Sequence, residues 1–225
     1  MDPLWIFFFV ILAVIGIIGF VGWQMEKKRT QDLSTLSATL GMSFVAKSMA
    51  GNPLSLSAPA LAFFKTGYGQ RSRNHLQKTL IDQTQVHVFD YQYTTGSGKS
   101  RTVHQITVFA ALHEDWRLPA FRLHPEIPIF HNIAKVFGMQ DINFPTHPEF
   151  SRIYLLRGEQ EDPIRRLFER GLLSFFERHP QWCVEAAGSL VILWRQDRRI
   201  SPREVPGFLA FGQDLCQRLQ VSAGY

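Results

Sequence analysis

Cysteine is almost missing from this chain: Cys183 and Cys216 are the only two. Two cysteines cannot build a disulfide framework, and neither belongs to a Cys-x-x-Cys pair. One lies in an apolar strand-like run and the other on the apolar face of a late helix, so both read as reduced core residues. A strong charge bias is missing as well. The chain carries 24 basic and 19 acidic residues, a net charge of +5, which falls short of the bias of many nucleic-acid-binding domains. Acidic residues are absent from Leu33 to Ile81, where Lys47, Lys65, Arg71, Arg73 and Lys78 occur. Within that stretch "KTGYGQRSRNHLQK" reads as a solvated basic turn. A patch facing anionic headgroups or phosphates is the sharper alternative. Internal repeats are absent, and so is any linker long enough to split the globular part.

The signatures of common enzyme classes are missing too. There is no Gly-x-Ser-x-Gly elbow. The histidines and acids of the middle segment are His113, Glu114, Asp115, His124, Glu126, His131, His147 and Glu149. None has the His-Glu-x-x-His spacing that would set ligands on one helical face. "YTTGSGKS", Tyr93 to Ser100, resembles a phosphate-binding loop, but the position of that loop's first glycine holds Tyr93. The residues that follow, Thr102, Val103, Ile106, Thr107 and Val108, favour a strand where the loop needs a helix N-terminus. "TGSGKS" therefore reads as a glycine-rich hairpin turn. Asp90 and His104 are candidate neighbours across this hairpin, where an ordinary polar pair is favoured over an acid–base pair.

What is present in force is one apolar run. Leu4 to Trp23 is twenty residues without a charge, about 30 Å as a helix, which matches the hydrocarbon core of a bilayer. Trp5 and Trp23 stand near its ends, where amphipathic rings prefer the interface. No basic residue precedes the run, and no small-x-small cleavage site follows it, so a cleaved signal peptide fits poorly. Lys27, Lys28 and Arg29 come directly after it, and the positive-inside rule then places the remainder in the cytoplasm. Residues 1–29 are expected to be a transmembrane anchor with a basic flank, and residues 30–225 a cytoplasmic domain.

Leu33, Leu36 and Leu40 predict a short helix stopped by Gly41, followed by a strand through Phe44 and Val45. Residues 46–60 read as a loop. "LQKTLID", "QVHVFDYQYTT" and "RTVHQITVFAAL" predict three strands, with Val86, Val88 and Asp90 on one face of the second and His87, Phe89 and Tyr91 on the other. "FRLHPE" predicts a strand, "IFHNIAKVFGM" a short helix and "SRIYLLRG" another strand. Asp162 and Pro163 predict a cap and first turn for a helix bent or broken at Gly171. "WCVEAAGSLVILWR" predicts a hairpin turning near Gly188. "SPRE" predicts a capping box at Ser201 and Glu204, opening a last helix with Val205, Phe208, Leu209, Leu215, Cys216 and Leu219 on one face. That helix should pack on the hairpin before it.

"FDYQYTTGSGKSRTVHQ", "HPEFSRIYLLRG" and "LLSFFERHP" together resemble a family of bacterial proteins of unknown function with one N-terminal membrane helix. The resemblance implies a bacterial membrane setting and assigns no activity and no site residues.

The expected fold is α+β: one N-terminal transmembrane helix, then an antiparallel β-sheet domain packed with C-terminal helices. The expected location is the inner membrane, single-pass, with the domain in the cytoplasm. The favoured function is a membrane-anchored binding or scaffold module without catalytic, cofactor-binding or metal residues. A membrane-tethered hydrolase or metal-dependent enzyme built from the middle-segment histidines and acids is the alternative. Arg195, Arg198, Arg199 and Arg203 are candidate anion contacts, for which a solvated turn pairing with Asp197 and Glu204 is the plainer reading. The expected partners are the membrane, through residues 4–23, and either anionic lipid or another protein; nucleic acid is disfavoured. No oligomeric state is assigned.

Overall fold

In the computed structural model, helix α1 runs unbroken from Pro3 to Thr39. The structure describes residues 3–47, 49–51, 54, 61–126, 141–169 and 171–223. Phe9, Ile18 and Trp23 are each more than half exposed, and so is most of the apolar run around the helix. Among the described residues this is the one helix long and apolar enough to cross a membrane. Farther along, Leu33 is buried, and Leu36 and Leu40 pack on the domain core. The short helix expected here is the last part of α1, because no helix breaker separates Trp23 from Gln31. The helix passes through position 29 without interruption. Gly41, at φ +61°, ends it: the Met42 N–H donates to the Ser37 carbonyl at 2.9 Å, and the Gly41 N–H to that of Ala38 at 3.2 Å. This pair of reversed bonds is the Schellman termination that a left-handed glycine permits.

Among the described residues nine strands form one antiparallel sheet: β1 (Ser43–Val45), β2 (Met49–Ala50), β3 (Tyr68–Thr79), β4 (Gln85–Thr95), β5 (Thr102–Leu112), β6 (Leu118–Pro125), β7 (Tyr154–Gly158), β8 (Trp182–Gly188) and β9 (Leu190–Arg195). The spatial order is β1-β3-β4-β5-β9-β8-β6-β7, with β2 also paired to β3. Most of "KTGYGQRSRNHLQK" is β3, which corrects its reading as a turn as far as His75; the strand expected from Leu76 is the last part of β3 and ends at Thr79. Ser72, Asn74, His75 and Leu76 are buried there by β4 on one side and β1 and β2 on the other. Polar composition hid the strand: the inward Asn74 and His75 bond Asp90 and His87 on β4 rather than packing against apolar groups.

Both faces of the sheet are covered. Leu76, Val86, Val88, Phe109, Val184 and Leu193 face a layer made by α1, α2 (Pro148–Ile153), α3 (Glu161–Glu169), α4 (Leu172–Arg178) and α5 (Val205–Ala223). The opposite face buries Phe89, Tyr91, Ile106, Val108, Ile192 and Trp194 under the 3-10 turn Ala62–Lys65. The Glu185 carboxylate holds that turn by accepting the Ala62 and Phe63 N–H groups at 2.6 and 2.9 Å. Burying apolar area on both faces is what makes α+β packing stable without disulfides.

Three boundaries differ from expectation. "SRIYLLRG" is a strand only from Tyr154, since Pro148 with its fixed φ starts α2. Helix α3 opens at Glu161, which leaves Asp162 inside the first turn, where both acids favour the helix dipole. Ser201 donates its N–H and its hydroxyl to Glu204 at 3.1 and 2.7 Å, so the carboxylate half of the capping box forms one turn ahead of α5. Gly171, at φ +124°, separates α3 from α4 as expected. The "IFHNIAKVFGM" helix lies outside the described residues. On the predicted face of α5, Val205, Phe208, Leu215, Cys216 and Leu219 are buried, and Phe208 stacks on Trp182.

Two contacts set the direction of α1 across the sheet. Arg73 on β3 meets Glu26 at 3.2 Å, and the Lys78 ammonium donates to the Leu40 carbonyl at 3.4 Å. Strand β3 therefore ascends in the same sense as α1. The β4–β5 turn points back toward the apolar end of the helix, and the β3–β4 turn points away from it.

Candidate functional site

The densest polar chemistry lies where α1 meets the sheet. Asp90 stands among Val86 and Val88 on the helix-facing side of β4 and is buried. Register sets it between Arg73 on β3 and Thr107 on β5. Strand β3 carries one extra residue just beyond Arg73, a bulge that places Asn74 at φ +52°. Asparagine tolerates that left-handed conformation, and the bulge re-aims its side chain. Its amide then donates to Asp90 Oδ2 at 2.9 Å. Arg29 grips the same carboxylate with both arms, at 2.6 and 2.9 Å, while Thr107 donates at 3.0 Å and Arg199 at 3.1 Å. Arg199 also pairs with Glu26, so α1 is tied twice, through Arg29 and through Glu26.

Five donors on one buried carboxylate determine its charge state. Burial pushes the Asp90 carboxyl up, but the Arg29 hydrogen bonds and the Arg29 and Arg199 charges outweigh it and hold the group below the usual carboxylate range. The network fixes charge and geometry. It presents no open position for a substrate, and its chemistry is that of a joint.

A second group is His104. Its Nδ1 lies 2.5 Å from Asp197 Oδ1 and its Nε2 lies 2.7 Å from Thr95 Oγ1, with Tyr93 stacked on the ring at 4.6 Å. The order acid, imidazole, hydroxyl is that of a nucleophilic triad. The exposed Asp197 and the covering Tyr93 ring make it a brace between β5 and the β9–α5 loop. Asp90 and His104 are not neighbours: Asp90 faces Thr107, and His104 faces Tyr93. On the opposite face His75 and His87 share a hydrogen bond of 2.9 Å, one ring donating to the other, and burial holds both down to about 4.

The four candidate arginines go separate ways. Arg195 lies over the Trp182 ring at 4.2 Å, Arg198 pairs with Glu204 at 2.6 Å, Arg199 enters the Asp90 network and Arg203 is exposed. Among the middle-segment residues, His113 bonds the Asp82 carbonyl, Glu149 pairs with Arg152, and His124 lies edge-on to Trp194. His131 lies outside the described residues. Among the described residues no three His, Cys, Asp or Glu side chains converge as a metal site. An open groove of about 470 Å³ lies between α2 and the end of α4, lined by His147, Glu149, Arg152 and Glu177. Cys183 and Cys216 are buried and unpaired as thiols. Lys99 sits on an exposed turn followed directly by β5, which leaves no helix N-terminus for a phosphate.

No family model and no curated protein matches the chain. Among solved structures, the chain is similar to the crystal structure of the mycobacterial trehalose monomycolate transport factor A, with a TM-score of 0.58 and 11% sequence identity. The match covers 86% of this chain and 95% of that one. At that identity the likeness is one of fold.

Proposed function

We propose that this chain is a single-pass, membrane-anchored binding module that holds a rigid domain on the cytoplasmic side of a bacterial inner membrane. The observation that carries the reading is the continuity of α1: its exposed apolar part passes without a break into a part bolted to the sheet by Arg29, Asp90, Arg199 and Glu26. A tethered enzyme needs only a flexible leash. A helix locked to its domain sets orientation and height, which matter for presenting a surface. The protein of like fold carries the description of a transport factor, and only the accessory character of that description is carried over here. Lys27, Lys28 and Arg29 support the cytoplasmic orientation.

The test has two arms. A cytoplasmic reporter fused after Tyr225 should be active, and an active periplasmic reporter would overturn the orientation. Full-length chain cross-linked in cells and purified from membranes should bring one partner in a fixed ratio. A chain recovered alone would overturn the binding role.

A further inference from the structure

We propose that the end of the sheet pointing back along α1 is a second membrane contact, a surface for anionic lipid headgroups centred on the β4–β5 turn. It rests on the anchored reading above and adds a contact made by the domain itself.

The geometry comes from the Asp90 joint. Arg29 meets Asp90 on α1, and from Asp90 the strand runs five residues to Thr95, about 17 Å toward the apolar end of the helix. On α1 the six residues from Arg29 back to Trp23 rise about 9 Å. The turn therefore reaches the level of Trp23, where the apolar run ends, with length to spare for the angle between strand and helix. A bilayer spanned by residues 4–23 would meet its headgroups at that height.

The chemistry at this end suits such a surface. Lys99, Arg101 and Arg71 are exposed and make no ion pair among the described residues. The acids nearby are already engaged: Glu26 with Arg73 and Arg199, Asp90 with Arg29, Asp197 with His104 and Glu204 with Arg198. Register sets Tyr68, Thr94 and Val103 in one row across β3, β4 and β5. Tyr68 and Val103 are 48% and 46% exposed, an aromatic and an aliphatic group amid the cations. An amphipathic ring beside lysine and arginine is the composition of a bilayer interface. The far end of the same strands mixes Asp82, Glu114 and Asp115 with Lys78 and Arg117. The excess of cations on these strands thus lies at the end toward the bilayer. The "GKS" turn holds cations for a surface of many phosphates rather than a cradle for one nucleotide.

Near an anionic leaflet each such residue strengthens contact about fivefold, so the three together account for about a hundredfold. The test uses the full chain in nanodiscs of phosphatidylcholine, with or without phosphatidylglycerol. An environment-sensitive fluorophore is placed at Ser97→Cys or, as a control, at Gln24→Cys, and lipids with headgroup nitroxides act as quenchers. The native thiols are buried and should stay unlabelled. The Ser97 label should be quenched in anionic discs, much less in neutral ones, and less again at high salt. In Arg71→Gln, Lys99→Gln, Arg101→Gln the contact equilibrium should fall about a hundredfold, with the Gln24 label unchanged. A Ser97 label quenched equally in both lipids, or untouched by the triple change, would overturn the surface while leaving the anchor in place. A Gln24 label that is never quenched would overturn the anchored reading itself.

Discussion

Replacing Asp90 by asparagine keeps the size of the side chain and removes only its charge, which makes it the sharpest probe of the joint between helix and sheet. In the native protein the carboxylate is 4% exposed, and its two guanidinium partners, Arg29 and Arg199, are 12% and 17% exposed. Solvent screens such a cluster poorly. Asp90→Asn leaves Arg29 without a carboxylate and Arg199 with Glu26 alone, and turns an amide toward donors that need an acceptor. Breaking a buried pair in this way costs about 3–5 kcal/mol, a large share of the roughly 5–15 kcal/mol that holds a domain folded. With a urea slope near 2 kcal/mol/M, the unfolding midpoint should drop by about 2 M. The assay is urea unfolding of the full chain in micelles, followed by the fluorescence of buried Trp116, Trp182 and Trp194. Arg203→Gln, an exposed control, should stay within about 0.5 kcal/mol. Because the folded carboxyl lies below its unfolded value, the Asp90 contribution is present above about pH 3.9 and is lost as pH falls through the folded value. A loss below about 1 kcal/mol for Asp90→Asn would refute the account of the joint.

Three further outcomes are expected. His75 and His87 have folded values near 4 against about 6.5 unfolded, so they favour the folded state above about pH 6.5, and that share fades as pH falls toward 4; His87→Asn should flatten the measured stability slope across that window, and an unchanged slope would contradict it. Gly212→Ala should destabilise by about 1–3 kcal/mol although alanine is the better helix former, since the added carbon would meet the buried Phe109 ring at 2.6 Å; a gain in melting temperature would show that the ring yields. Burial pushes the thiols of Cys183 and Cys216 up, so neither should react with a thiol reagent until the chain unfolds, and labelling of the native protein would count against the packing of β8 or α5.

Periodicity carried most of the fold. The two long central strands, the last hairpin and the final helix show alternation or helical spacing strong enough to read directly. The end of strand β3, from Leu76, was legible in the alternation of "LQKTLID"; its first part was opaque because it buries Ser72, Asn74 and His75, of which the last two bond Asp90 and His87 on β4. The start of β7 was misplaced because Pro148, three residues ahead of the strand-like string, opens a helical turn that runs on through Ile153. Arg29 looked like ordinary basic flank, and its partner lay sixty-one residues away. One signal was available: Asp90 alternates with Val86 and Val88 on an apolar face, and an acid in that position needs a buried partner. No spacing rule could name which arginine reached it.

Consider finally what an unbroken α1 means for motion. A domain on a flexible tether samples a hemisphere and can approach a neighbour from any angle. Anchored as proposed, this one would behave as the head of a pin. Its freedom is lateral diffusion, spin about the membrane normal and whatever tilt the span adopts. Tilts of about 20° are ordinary for single helices, and over the roughly 55 Å of a 37-residue rod such a lean carries the far end sideways by about 19 Å. Bilayer thickness, which sets the lean, would then set where the far end of the sheet stands above the membrane plane.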